Sequence, residues 1–122
     1  MSVKISSLYE LKHEIAKLVR IIKRKTGQDA FNVTIQNHLV ELTKYIRERV
    51  KKNFRVNLYI YDDEYTLNYF TDNIRWTIGV SEDGTVNFCY IDEDFPLKKG
   101  VFKVTEISED FNIILSRLND KI

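Results

Sequence analysis

Apolar residues recur along the first fifty positions at intervals of three and four. Leu8, Leu11, Ile15, Leu18 and Ile22 form one stripe at helical spacing. Lys12, Lys17, Arg20, Lys23 and Arg24 fall on the opposite face. Ser7 and Glu10 have the spacing of a capping box at the start of this helix. Gly27 suits the left-handed residue that ends it. Asp29 is a fresh N-cap candidate. Phe31, Ile35, Leu39, Leu42, Ile46 and Val50 then mark a second helix of about six turns. Val33 and Val40 add a second apolar line on its other side. That places the second helix between the first and either a sheet or a second subunit. The short link at residues 26–28 makes the two helices antiparallel neighbours.

From Phe54 the period changes to two. Phe54, Val56, Leu58 and Ile60 point one way, and Arg55, Asn57, Tyr59 and Tyr61 the other. Further strands are expected at residues 65–70, 74–80 and 85–91, joined by tight turns. Gly84 stands where the third turn wants positive φ. Residues 98–100, after Pro96, read as a loop, and 101–104 as a short fifth strand or extension. Thr105 or Ser108 caps a last helix whose apolar face is Ile107, Phe111, Ile114 and Leu118. The expected architecture is α+β, in the order αα-ββββ(β)-α. An N-terminal antiparallel helical hairpin is followed by a four- to five-stranded antiparallel β-meander and a C-terminal helix. Within one domain over 1–122, residues 1–53 are the basic hairpin, 54–104 the meander with acidic turns, and 105–122 the closing helix.

Charge sharpens this division. Residues 1–55 hold 13 Lys and Arg against 5 Asp and Glu, a net +8. Residues 56–122 hold 6 against 13, a net −7. The chain total of +1 hides this asymmetry, which suits nucleic-acid contact or two oppositely charged surfaces that meet. Lys and Arg at both helix ends also complement the helix dipole, so part of the basic excess has a structural cause.

Composition sets outer limits. The hydrophobic fraction of 43% and charged fraction of 30% belong to a globular chain. A single cysteine, Cys89, forms no internal disulfide and is expected to be a buried or half-buried structural thiol. No apolar run approaches the roughly 18 residues of a membrane span, and residues 1–5 lack a signal-peptide core. The expectation is a cytoplasmic protein with no membrane contact. Abundant Ile, Lys and Asn with scarce Ala, Gln and Pro are what AT-rich coding DNA produces, as in mobile elements or viruses.

Chemistry is thinly signalled. His13 and His38 lie on different helices without an i, i+4 partner, so both read as surface residues rather than zinc ligands. Glycines at 27, 79, 84 and 100 are too scattered to cradle a phosphate. Acidic turns gather Asp62 and Asp63 near Glu64, Glu82 and Asp83, and Asp92 and Asp94 near Asp72 and Glu93. Such clusters suit Mg²⁺ or Mn²⁺ and give a metal-dependent nuclease as a weak alternative, although turns favour Asp regardless. No cofactor is expected. The leading expectation is a small non-enzymatic interaction module, a regulator or inhibitor that self-associates or binds another protein. Its surface would comprise Val33, Val40, Arg55, Tyr59, Tyr61 and Arg75, since Tyr and Arg are enriched at interface hot spots. The alternative is a nucleic-acid-binding protein using Lys12, Lys17, Arg20, Lys23 and Arg24, the Tyr/Arg sheet face, or both.

Overall fold

The computed structural model describes residues 8–51, 54–61 and 63–120. In chain order it holds α1 (Leu8–Thr26), α2 (Val33–Arg49), β1 (Arg55–Tyr61), β2 (Glu64–Phe70), β3 (Ile74–Ser81), β4 (Thr85–Asp92), β5 (Lys98–Lys103) and α3 (Glu109–Asp120). All five strands form one antiparallel sheet in the order β1-β2-β3-β4-β5, each paired with its neighbour in sequence. The architecture is therefore the α+β meander that the periodicities predict.

Leu11 and Ile15 lie buried at the centre of the α1 stripe, with Leu8, Leu18 and Ile22 half-buried at its margins. Gly27 closes α1 at φ 77°, its N–H donating to the Lys23 carbonyl at 2.8 Å. The proposed cap by Ser7 lies outside the described residues. α2 begins later than expected. Asn32, not Asp29, is the N-cap, and its Oδ1 accepts from the Ile35 N–H at 3.0 Å. Tyr65 from β2 explains the delay: its hydroxyl donates to the Ala30 carbonyl (2.9 Å) and accepts from the Asn32 N–H (2.7 Å). The link is thus tied to the sheet instead of being wound into the helix. Asp29 shapes the link by accepting from the Phe31 N–H, and Phe31 stays exposed.

Helices cover one face of the sheet. α2 packs against α1 on one side and β2, β3 and α3 on the others. Val56, Tyr65, Leu67, Tyr69, Trp76, Ile78, Phe88 and Tyr90 are buried on the covered face. α3 sends Phe111 into the middle of Trp76, Phe88 and Phe102, with ring centroids 5.3, 5.4 and 4.9 Å away. Each fully buried large side chain contributes about 1.5–3 kcal/mol, so this aromatic cluster anchors the β3–β5 half of the sheet.

One strand boundary also differs from expectation. Residues 98–100 belong to β5 rather than to a loop. A Cβ at Gly100 would stand 2.9 Å from the Phe88 ring, so the missing side chain is what lets β5 lie against β4 there. Of the two cap candidates, Ser108 caps α3, its hydroxyl accepting from the Phe111 N–H at 3.3 Å.

Candidate interaction surface

The sheet face away from the helices is built by strand alternation. Strand register sets its side chains in rungs across the strands. One rung runs Arg55, Phe70, Arg75, Ile91. The next runs Asn57, Asn68, Thr77, Cys89, Lys99. A third runs Tyr59, Thr66, Gly79, Asn87, Val101, and Tyr61, Glu64 and Ser81 open a fourth. Tyr61 is 63% exposed and Val101 68%, and Tyr59 and Ile91 are exposed as well.

The first rung makes a cationic end. Neighbouring strands lie about 4.8 Å apart, so the Arg55 and Arg75 backbones stand roughly 10 Å apart, on either side of Phe70. Together with Thr71 and Asp72 they line an open cleft of about 430 Å³. Arg75 Nη1 donates to the Thr71 carbonyl at 3.2 Å, and its guanidinium carbon lies 5.5 Å from the Phe70 ring centroid.

The opposite end is aromatic and polar. Tyr59 and Tyr61 stack at 6.1 Å with an interplanar angle of 18°. Asn57 Nδ2 donates to the Tyr59 hydroxyl at 3.2 Å. The Glu64 carboxylate accepts from Thr66 (3.1 Å) and Asn87 (3.2 Å), and lies over Gly79, where a side chain would collide with it. Lys103 pairs with Asp83 at 3.2 Å. Hydrogen bonds from Thr85, then from Lys103, hold the Asp83 carboxyl down to about 2. Arg55, Arg75 and Lys99 form no ion pair among the described residues. With Asp72 in the cleft and the Lys103–Asp83 pair counted, Arg55, Arg75, Lys99 and Lys103 stand against Glu64, Asp72 and Asp83, so the face is weakly cationic.

The expected interaction residues do not all meet. Arg55, Tyr59, Tyr61 and Arg75 share this face, the arginines at one end and the tyrosines towards the other. Val33 and Val40 lie on α2, on the helical side of the sheet. Val33 is exposed, whereas Val40 is half-buried against the core. Cys89 is a correction, since it is exposed on the open face. Parity explains this, because Phe88 and Tyr90 take the core side of β4 and leave Cys89 facing out. His38 is also a correction: it is half-buried, with Nε2 3.2 Å from the Glu82 carbonyl. His13 is exposed.

On α1, Lys12, Arg20, Lys23 and Arg24 are exposed and Lys17 is half-buried. None of them pairs with a carboxylate among the described residues. This ridge and the open face lie on opposite sides of the sheet.

The acidic candidates separate. Asp62 lies outside the described residues, Asp63 is exposed beside β2, and Asp94 is exposed beyond β4. Asp92 is a structural anchor with its side chain wholly buried. Arg117 grips it in bidentate fashion, Nε to Oδ2 at 2.7 Å and Nη2 to Oδ1 at 3.1 Å. The Tyr90 hydroxyl (2.7 Å) and the backbone N–H groups of Asp94 (2.9 Å) and Phe95 (2.7 Å) also donate to it. These bonds, Arg117 foremost, hold the Asp92 carboxyl well below the usual carboxylate range, and burial opposes them. Burial and the adjoining carboxylate push the Tyr90 phenol up. Sequence reading missed this pairing because Arg117 is 25 positions away. The available signal was parity, since Asp92 continues the core-facing series Val86, Phe88, Tyr90. Among the described residues no group of three or more His, Cys, Asp and Glu stands together to hold a metal. Among them, too, no helix is long and apolar enough to cross a membrane.

Compared with known protein families, curated proteins and solved structures, the chain shows no significant match.

Proposed function

We propose that this chain is a non-catalytic protein-interaction module that self-associates. The observation carrying the reading is the β1 margin of the open sheet face, where Tyr59 and Tyr61 stack, exposed, on the same strand as exposed Arg55. A sheet face that only meets water is polar along its length. Aromatic side chains bearing a polar tip, set beside arginines, are what buried interface centres use. Size-exclusion chromatography with light scattering, run from micromolar to high micromolar protein, tests the reading. The expected mass is twice 14.5 kDa. A monomer at every concentration overturns self-association.

One observation favours a second reading. The α1 cations lack carboxylate partners among the described residues, so their charge is available to a polyanion. Nucleic-acid binding through this ridge predicts affinity that falls steeply with salt and with Arg20→Glu plus Arg24→Glu, whatever the base sequence. Titration of a mixed-sequence duplex at low and moderate salt reads both effects. Affinity unchanged in the double variant removes the ridge as a binding surface.

A further inference from the structure

The two outer strands of the sheet are β1 and β5, and they end it differently. An edge strand presents unpaired N–H and C=O groups, and proteins guard such edges with lysines, proline or bulges. β5, Lys98–Lys103, carries Lys98, Lys99 and Lys103. β1, Arg55–Tyr61, reads RVNLYIY and has no lysine, proline or glycine. Its pairing with β2 runs without a bulge from Arg55↔Phe70 to Tyr61↔Glu64, so the free side is straight along seven residues. Leu58 and Ile60 point to the helical side, yet both are only half-buried.

The β1 sequence is complementary to itself. Antiparallel pairing of two copies about Leu58 sets Arg55 opposite Tyr61, Val56 opposite Ile60, Asn57 opposite Tyr59, and Leu58 opposite Leu58. Aliphatic meets aliphatic on the helical side, and the guanidinium meets the tyrosine ring on the open side. Both kinds of cross-strand pair stabilise sheets. The parity also matches: residues paired this way share a face, so the helices of both copies lie on one side of a continuous sheet.

Building on self-association, we infer that the occupant of the β1 edge is the β1 edge of a second copy, giving a two-fold dimer with a ten-stranded sheet. Charge selects this geometry over the alternatives. Stacking two open faces would bring two surfaces of the same net charge together. Pairing two β5 edges would bring six lysines together. Side-by-side β1 pairing avoids both, and it joins the two tyrosine pairs into one platform across the dimer seam.

The test is light scattering across a concentration series on wild type, Tyr61→Lys, Tyr61→Glu and Arg75→Glu. Tyr61 is largely exposed, and circular dichroism confirms that each variant is folded. Tyr61→Lys puts an ammonium opposite Arg55 of the other copy and is expected to raise the dissociation constant at least tenfold. Tyr61→Glu puts a carboxylate there and is expected to hold or tighten the dimer. Arg75→Glu, two strands from the edge, is expected to leave it unchanged. If the wild type dimerises and both Tyr61 variants behave alike, the edge assignment falls while self-association stands. If Arg75→Glu alone changes the dimer, the open face is the seam and the edge assignment falls. If the wild type is monomeric throughout, both fall together.

Discussion

The two ends of the sheet are held by different physics. At the β5 end the core is aromatic: Phe111 sits among Trp76, Phe88 and Phe102, and the Asp92–Arg117 pair ties the end of β4 to α3. At the β1 end the strand's own core-facing side chains are aliphatic, with Phe54 and Tyr69 meeting edge to face beside them. Val56 is buried there, but Leu58 and Ile60 are only partly covered. The finished end carries lysines along its outer strand, and the unfinished end carries tyrosines. If copies pair through β1 as proposed, fold stability and association belong to opposite ends of one sheet and can be perturbed separately.

Phe111→Ala gives the largest break in this comparison. It empties the centre of the aromatic cluster and is expected to cost about 3–5 kcal/mol. Urea unfolding measures the loss as a lower midpoint. Among molecules still folded, the dimer fraction should be unchanged. A coupled loss of association at concentrations where the variant is folded would show that the two ends are not independent.

Asp92→Asn comes next, at about 2–4 kcal/mol, because the buried carboxylate loses its charge while Arg117 and two backbone N–H groups keep their geometry. The pH dependence has a definite sign. Folding holds the Asp92 carboxyl below its unfolded value, so its contribution is complete above about pH 4 and is lost as pH falls further towards the folded value. Urea midpoints at pH 7, 4 and 3 should therefore fall in the wild type by more than in Asp92→Asn. Parallel decline in both proteins would remove Asp92 as the source of the acid sensitivity.

These anchors mark where sequence was a sufficient guide and where it was not. Period three-to-four and period two were enough to place α1, α2 and the meander, because each element buries one face and polar residues fill the other. Parity on β1 and β3 likewise put Arg55, Tyr59, Tyr61 and Arg75 on a common face. What periodicity cannot carry is a contact between distant elements. Tyr65 pins the α1–α2 link and delays α2 to Val33, and no feature near Asp29 records that. Gly100 was misread as loop because its meaning depends on the Phe88 ring across the ladder. The acidic residues near β4 looked like one class in sequence, but Asp92 is buried and Asp94 exposed, and only the position of Arg117 separates them.

Leu58→Ala tests the sparsely covered end. Leu58 is half-buried, so removing its side chain is expected to cost about 1 kcal/mol, well under the Phe111 figure. Its position at the centre of the self-complementary β1 segment makes association the more sensitive readout. A several-fold weaker dimer with a small shift in urea midpoint is expected. A stability loss as large as that of Phe111→Ala would mean that the β1 end is as thoroughly packed as the β5 end, and the contrast between them would disappear.

The smallest effect on stability is expected from Lys99→Thr combined with Lys103→Thr. Both lysines are exposed, and surface substitutions of this kind usually fall within about 0.5 kcal/mol. Threonine suits an extended strand, which offsets the loss of the Lys103–Asp83 ion pair, itself worth little at the surface. Association should nevertheless change. With two of its three lysines replaced, β5 presents an outer strand with Val101 exposed and its backbone groups more open to pairing. Two pairing edges per molecule no longer close at a dimer, because each added copy leaves another edge free. Light scattering should therefore record species larger than the dimer, growing with concentration and suppressed by restoring a lysine at either position. A double variant that stays at the wild-type mass would show that lysine is not what distinguishes the two edges, and would shift the explanation to the tyrosines and aliphatics of β1.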